Sequence, residues 1–432
     1  MREGFTCQVK CMNFLKKSLE KYLPGKGITK RITPDQLELK KFEDLEHYKD
    51  VLYFCGKCGQ CRYVFQEAYW SRVCPSGELK KFEAYYLGGK NLLLWGVLSG
   101  KLKWTENLAK ILYYCTLCGN CTQQCQIPEI HHYALEWLFA ARIKSVKRGI
   151  APMPEHRKFG EWTKKEHNPY MEYHTGRQNW ISSNIRKELP EKADIVYFVG
   201  CTSSYREIRV AKAMLDILTS LKLNFTILKD EWCCGSPLFW TGQIEMAKEC
   251  AKHNIEEIEK SGATILVTSC AGCYRMIKEI CRTKFGFEYN FEVLHAPEFL
   301  LSLVKDGTLH LENTVPERVT YHDPCHIGRH MGLYEPPREL LKNIPELELI
   351  EMTRNRRNAW CCGAGAGVKS AFKDLALFAA HERLKEAQSI EAGILATSCP
   401  FCERNLRDAA KAYNVNIKVV DIIELIKSHI WK

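Results

Sequence analysis

The chain has 432 residues, 22 of them cysteine, with 46% hydrophobic content and a formal net charge of +11. That length predicts two or three domains with well-formed cores, and the basic excess comes with no nucleic-acid recognition motif, which removes nucleic acid as a partner. The opening MREGFTCQVKCMNFLKK lacks the apolar centre of a secretory signal, and the longest apolar run, NLLLWGVLSG at 91–100, is too short and glycine-broken to span a bilayer.

A disulfide framework needs an oxidising compartment, so the cysteines are expected as thiolates in a reducing cytoplasm, and their clustering there points to metal. Residues 1–147 read as a helical domain. Thr33 is placed as an N-cap, with Pro34 at the first helical position and Gln36 closing a capping box. Leu37, Phe42, Leu45, Val51 and Leu52 then recur near helical spacing. Phe14, Leu15, Leu19, Tyr22 and Leu23 form a second stripe, read as core or as a docking face.

Within this domain FCGKCGQC supplies Cys55, Cys58 and Cys61, followed by Cys74-Pro75. YYCTLCGNCTQQC supplies Cys115, Cys118, Cys121 and Cys125. C-x2-C-x2-C-x3-C is a bacterial ferredoxin pattern, in which the fourth ligand of each cube comes from the other motif. Cys55, Cys58, Cys61 and Cys125 are therefore assigned to one [4Fe-4S] cube, and Cys115, Cys118, Cys121 and Cys74 to the other. Gly56, Gly59 and Gly119 let backbone amides approach. Structural zinc prefers paired C-x2-C hooks and fits a triple hook poorly. The long gap from Cys61 to Cys74 suggests an inserted helix.

Residues 148–192 mix proline, glycine, aromatics and charge without period and read as a long surface connector. From 193 the pattern alternates strand and helix. ADIVYFVGC, FTILKD and TILVTSC recur in the same order as RVTYHDPC, LELIEM and GILATSC. The tails VLHAPEFLLSL and VVDIIELIKSH also correspond. Matching cysteines lie 124 to 129 residues apart, which makes an internal duplication the economical reading. The predicted fold is thus α+β multidomain: a helical ferredoxin domain, then two α/β repeats at 193–310 and 311–432, Rossmann-like with mostly parallel strands.

Each repeat carries five cysteines: Cys201, Cys233, Cys234, Cys270 and Cys273, then Cys325, Cys361, Cys362, Cys399 and Cys402. Cys201, Cys270, Cys325 and Cys399 are expected where strands end and helices begin, the rim at which open sheets bind ligands. Helix N-termini favour thiolate. Five converging sulfurs exceed what a tetrahedral ion or an ordinary cube needs, so an unusual cluster is implied. GAGAG at 363–367 lacks the spacing of a dinucleotide loop and is read as close backbone approach to a cluster. Cys250 and Cys281 read as small core residues, and Cys7 and Cys11 as an incomplete metal pair.

A duplicated C-x31–38-CCG-x33–36-C-x-x-C behind a two-cluster ferredoxin domain resembles the catalytic D-chain family of CoB–CoM heterodisulfide reductase. EWCCGSP, DPCHIGR, NAWCCGAGAGVKSAF and SCPFCERNLRDA carry the resemblance, which covers the chain from about residue 45. It implies two noncubane [4Fe-4S] clusters, one per five-cysteine set. A disulfide would be held between them and each product thiolate captured by an iron, which singles out Cys234 and Cys362. His326 is the first choice as proton donor, or as an N–H donor to a cluster sulfur; His322 and His330 follow. The family substrate is anionic, so Arg354, Arg356, Arg357, Lys369 and Arg404 are candidate substrate contacts, or simply solvated charge.

The leading expectation is a disulfide reductase acting on CoM-S-S-CoB or a similar disulfide. The alternatives are an iron–sulfur electron-transfer subunit beside a flavoprotein dehydrogenase, reduction of a disulfide or trisulfide on a small sulfur-carrier protein, and a zinc-stapled scaffold. The resemblance also implies an electron-donating partner, either a membrane cytochrome of b type or a soluble flavin or iron–sulfur protein. The chain would then be cytoplasmic, with possible attachment to the inner face of the membrane through that partner.

Overall fold

The computed structural model describes residues 42–64, 70–312 and 316–430. The helix start at Thr33, the stripe at 14–23, and Cys7 and Cys11 lie outside them. From Phe42 to Lys147 the described residues are helical apart from one isolated antiparallel bridge, Tyr63 to Arg72. Leu45, Val51 and Leu52 turn inward on two short helices, Leu45–Tyr48 and Lys49–Tyr53, and Phe42 is buried in the turn before them. The bridge joins the described ends of the interval between Cys61 and Cys74; the helix expected there falls partly on residues 65–69, which lie outside the described residues. Val73 N–H donates to the Arg62 carbonyl at 3.0 Å, so the two arms pair as extended chain. Among the described residues the next helix begins after Cys74, with Pro75 at its first turn.

The interval 148–192 is not the aperiodic connector expected. It forms a helix, Pro154–Glu166, and a shorter one, Ser183–Glu188. The first buries His156, Phe159, Gly160 and Thr163 on one face. Those positions follow helical spacing, but histidine, glycine and threonine hide it from a hydrophobicity pattern.

Each α/β repeat forms its own four-stranded parallel sheet. The first comprises β1 (Ile195–Phe198), β2 (Phe225–Thr226), β3 (Ile265–Thr268) and β4 (Glu292–His295), in the order β2-β1-β3-β4. The second comprises β5 (Glu317–His322), β6 (Leu347–Leu349), β7 (Ile394–Thr397) and β8 (Lys418–Asp421), in the order β6-β5-β7-β8. The central strands β1 and β7 are buried along their whole length, as parallel strands covered on both faces must be. The corresponding tails noticed in the sequence are the fourth strand of each sheet with its following helix.

The two sheets share one apolar core. Helix Ile208–Ser220 of the first repeat packs on Ile422–Ser428 of the second, and Ala296–Lys305 packs on Glu335–Lys342. Each repeat thus lends its first crossover helix to the last helix of the other. This reciprocal exchange is the contact pattern of a two-fold axis, and it turns the repeats face to face.

Candidate functional site

In the helical region Cys55, Cys58, Cys61 and Cys125 line one pocket, closed by Leu87, Ile127 and Ile130. Gly59 and Gly119 sit at φ +80° and +77°, opening the turns that carry Cys61 and Cys121. The Cys125 thiol is raised by burial and then by neighbouring Cys58 and Cys55. Burial raises Cys121 well above its ordinary range, with Cys74, Cys118 and Cys115 adding to it. Cys125 therefore lies with the first triple hook and Cys74 with the second. The two sets adjoin through Cys61, pushed up to about 11 by burial first and then by Cys74, Cys55 and Cys125.

The repeated Cys-Cys-Gly has one geometry in both repeats. Gly235 and Gly363 both take φ +87°, and their amides donate to Cys233 Sγ at 3.4 Å and Cys361 Sγ at 3.3 Å. A Cβ would stand 2.6 Å from the Ala247 carbonyl oxygen in one and 2.7 Å from that of Ala376 in the other. Left-handed backbone, an amide on sulfur and contact with a helix backbone all require glycine there. The rest of GAGAG does a different job from that expected. A Cβ on Gly365 would meet the Thr116 carbonyl at 3.2 Å, and one on Gly367 the His156 ring at 2.5 Å. The run seats protein against protein, because two other segments cross it.

Cys270 and Cys399 sit at helix N-caps, each with one residue between it and the end of β3 or β7, and Cys201 is the second residue of the short helix Gly200–Tyr205 after β1. Cys325 is followed by turns instead of a helix. Within the first repeat the thiols are in hydrogen-bonding reach in the sequence Cys201, Cys233, Cys234, Cys273, Cys270. The second repeats this as Cys325, Cys361, Cys362, Cys402, Cys399. Cys270 meets Cys399, so ten sulfurs form one chain across the pseudo-two-fold axis. Cys118 of the helical region meets Cys361 from the side.

Burial first lifts the Cys201 thiol well above its ordinary range, and neighbouring sulfurs first lift Cys273 and Cys402. Hydrogen bonds from Cys233 and Cys273 instead push Cys234 down to about 7, and those from Cys361 and Cys402 hold Cys362 well below its usual value. Five buried thiols this close cannot all ionise without cations among them. The donor set, soft sulfur in excess of four, fits iron with sulfide.

His326 lies edge-on to Trp240, 5.7 Å between rings, and its Nδ1 is buried without a hydrogen-bond partner. Burial and then Arg275 push its pKa down to about 3, so the ordinary imidazole value expected of it is not kept. His330 packs instead against Gly119 of the helical region. Arg354 is not open to a ligand. It is 2% exposed, pairs with Glu386 through Nε at 3.0 Å, and lies between the Trp70 and Trp360 rings. Glu386 also holds Arg383, making a buried Arg–Glu–Arg triad. Glu386→Gln is expected to cost about 3 kcal/mol, because it strands two buried guanidiniums; an anaerobic urea melt checks this.

Arg356 pairs with Glu335 at 2.6 Å, and Lys369 with Asp408 at 2.6 Å and Asn405 at 2.7 Å. Arg357 is exposed. Arg404 differs: it lies over Tyr170, and one of its guanidinium nitrogens is buried without a partner. Cys250 and Cys281 are buried, and burial pushes both up to about 12. Sequence reasoning missed Arg275, Arg177, Arg142 and Tyr170. Arg275 was findable, because it and Arg404 both stand two residues after a C-x2-C. Arg177 donates to Cys201 Sγ at 3.5 Å and pairs with buried Glu231. It lies in the supposed connector, which carried no signal.

Residues 51–127 match the family described as "4Fe-4S dicluster domain", and residues 195–278 and 319–407 each match "Cysteine-rich domain". Over 382 residues the chain is 42% identical to the D chain of dihydromethanophenazine:CoB–CoM heterodisulfide reductase from Methanosarcina acetivorans, covering 86% of this chain and 92% of the relative. The chain belongs to the D-chain family of heterodisulfide reductase. The protein of the same name from Methanosarcina mazei is 41% identical over 325 residues, 74% of this chain and 78% of its own. By name these heterodisulfide reductase chains are oxidoreductases acting on sulfur groups. Among solved structures, a hypothetical protein from Helicobacter pylori matches with a TM-score of 0.55 at 12% identity, covering 88% of this chain and 76% of its own, and shares the fold alone. No helix among the described residues of this family member is long and apolar enough to cross a membrane.

Proposed function

We propose that this chain reduces a disulfide with anionic ends, CoM-S-S-CoB or a similar one, taking up two electrons and two protons and releasing two thiols. Cys55, Cys58, Cys61 and Cys125 would hold one cubane cluster, and Cys115, Cys118, Cys121 and Cys74 the other. The five cysteines of each repeat would hold a noncubane cluster. When bound, these four [4Fe-4S] clusters supply single-electron carriers and, at the paired sites, iron able to take a thiolate sulfur.

The observation that carries this reading is the meeting of Cys270 with Cys399, which brings the two five-sulfur sets to a common face. A disulfide has two sulfur atoms, and two equivalent sites on one face suit its symmetric cleavage. Arg404, over Tyr170 with one guanidinium nitrogen unpartnered, is the counter-charge we assign to an anionic substrate, whereas Arg275, its counterpart after the other C-x2-C, is paired with Glu279 at 2.6 Å. Tyr170 lies within electrostatic reach of Cys201 and Cys270, and His326 within that of Cys399 and Cys362. Electrons would enter from a partner protein, a membrane cytochrome or a soluble flavin or iron–sulfur protein. They would pass from the Cys118 set toward Cys361.

Anaerobic electron paramagnetic resonance of the oxidised protein tests the reading. Coenzyme M or coenzyme B is expected to induce a new signal that Cys234→Ser or Cys362→Ser removes while the cubane signals persist. No response to either thiol, with reduction by a flavoprotein intact, would make the chain an electron carrier instead.

A further inference from the structure

The two repeats are alike in backbone and unlike at one buried position. β1 aligns Ile195 with Ile265, and β5 aligns Val319 with Ile394, so Tyr197 matches Tyr321 and Phe198 matches His322. The tyrosines confirm the register, since Tyr197 pairs with Ser269 and Tyr321 with Ser398. Phe198 is fully buried and has nothing to donate. His322 is 1% exposed, and one of its ring nitrogens lies within 4.8 Å of both Cys362 Sγ and Cys402 Sγ.

The surroundings of His322 settle which nitrogen carries its proton. Arg383 Nε–H donates to His322 Nδ1 at 3.2 Å. Arg383 is itself locked by Glu386 and by the Arg354 carbonyl, each at 2.8 Å. A neutral ring whose Nδ1 accepts must carry hydrogen on Nε2, and that Nε2 is buried with no other hydrogen-bond partner. A protonated Nε2 offers no lone pair, so it serves as a donor and not as an iron ligand. The first repeat has neither part of this device; its side-chain donor is Arg177, which reaches a different sulfur, Cys201 Sγ, at 3.5 Å. Asn254 stands where Arg383 does, and its amide is engaged by the Trp232 and Cys233 backbone.

We propose that His322 Nε2–H donates a hydrogen bond to a sulfur of the Cys362–Cys402 set and so makes the second noncubane site easier to reduce than it would be without that donor. The inference rests on the reading that each five-cysteine set holds a cluster. A donor at sulfur stabilises the electron-rich state, and outer donors of this kind tune cluster potentials. The same set adjoins Cys118, so the donor sits on the site next to the cubane side. His322 acts through the sulfur and is a positioning residue. The buried triad that removed Arg354 from the substrate set is the frame that orients it.

Potentiometric titration of the whole chain, followed by electron paramagnetic resonance and Mössbauer spectroscopy, tests this. His322→Phe, which copies the first repeat, is expected to lower the reduced-to-oxidised ratio of one noncubane cluster about tenfold at fixed potential, or about 59 mV for one electron. The other noncubane cluster and both cubanes should hold their potentials, and His322→Gln, which restores an N–H, should recover part of the shift. Equal shifts at both noncubane clusters, or none, would overturn the proposal. Should the variants not fold, wild-type protein exchanged into deuterium oxide decides by electron–nuclear double resonance. An exchangeable deuteron coupled at His322 to one noncubane cluster supports the inference, and its absence overturns it. Iron and sulfide sufficient for the cubanes alone would remove the underlying cluster reading instead.

Discussion

Arg142→Met is expected to lower the stability of the folded chain by about 4 kcal/mol or more, a large share of the usual 5–15 kcal/mol. Arg142 is fully buried on helix Pro128–Lys147. Its guanidinium donates to the carbonyls of Leu112 at 3.0 Å, Cys115 at 2.5 Å, Trp240 at 2.9 Å and Ala366 at 3.0 Å. Those carbonyls belong to the second triple-hook region, the first repeat and the second repeat. Each one left buried and unpaired costs roughly 1 kcal/mol or more, and the methionine recovers only packing. None of these partners is a carboxylate, so the cation faces carbonyl dipoles in a region that gathers thiolate charge. Arg142→Lys keeps the charge, but three donors on one nitrogen cannot span four carbonyls, and an intermediate loss is expected. Urea melts under anaerobic conditions, with iron content measured alongside, check both. A loss under about 1 kcal/mol for the methionine variant would show that Arg142 does not join the three segments energetically.

Gly363→Ala is the second large effect, expected at about 3 kcal/mol with selective loss of iron from the second repeat. A left-handed L-residue costs roughly 1–2 kcal/mol by itself. The new methyl would also stand 2.7 Å from the Ala376 oxygen and 2.7 Å from Ala379 Cβ. The helix cannot withdraw easily. Trp360 Nε1–H donates to the Ala379 carbonyl at 2.8 Å and Asn405 to that of Ala376 at 3.0 Å. Gly307→Ala is the control, since Gly307 has φ +79° with nothing within 4 Å of its Cβ position. It should show the backbone cost of about 1 kcal/mol without the clash and without iron loss. Equal losses at the two positions would mean that the close helix approach contributes nothing.

Much of this protein can be read from local pattern. Triple hooks, double cysteines and strand-length apolar runs are short-range signals, because spacing along the chain limits which sulfurs one turn can present. The duplication is legible for the same reason: two copies of one folding unit repeat their local signals in order. The helix at Pro154–Glu166 escaped because, Phe159 apart, its buried face is made of histidine, glycine and threonine, whose burial depends on what packs against them. Arg354, Arg356 and Lys369 looked alike as charges near cysteines. Only three-dimensional packing set Arg354 between two tryptophans and beside Glu386, and gave the other two exposed carboxylate partners.

The amino-acid order alone determined which sulfurs exist, how they are spaced and that they come in two matching sets. Tertiary structure decided which sets touch: Cys270 with Cys399, and Cys118 with Cys361. Such contacts join residues more than a hundred positions apart, and they arise from the reciprocal packing of crossover helices around a shared core. No local spacing encodes that arrangement, because it is settled by the burial of surfaces that meet only once both repeats have folded.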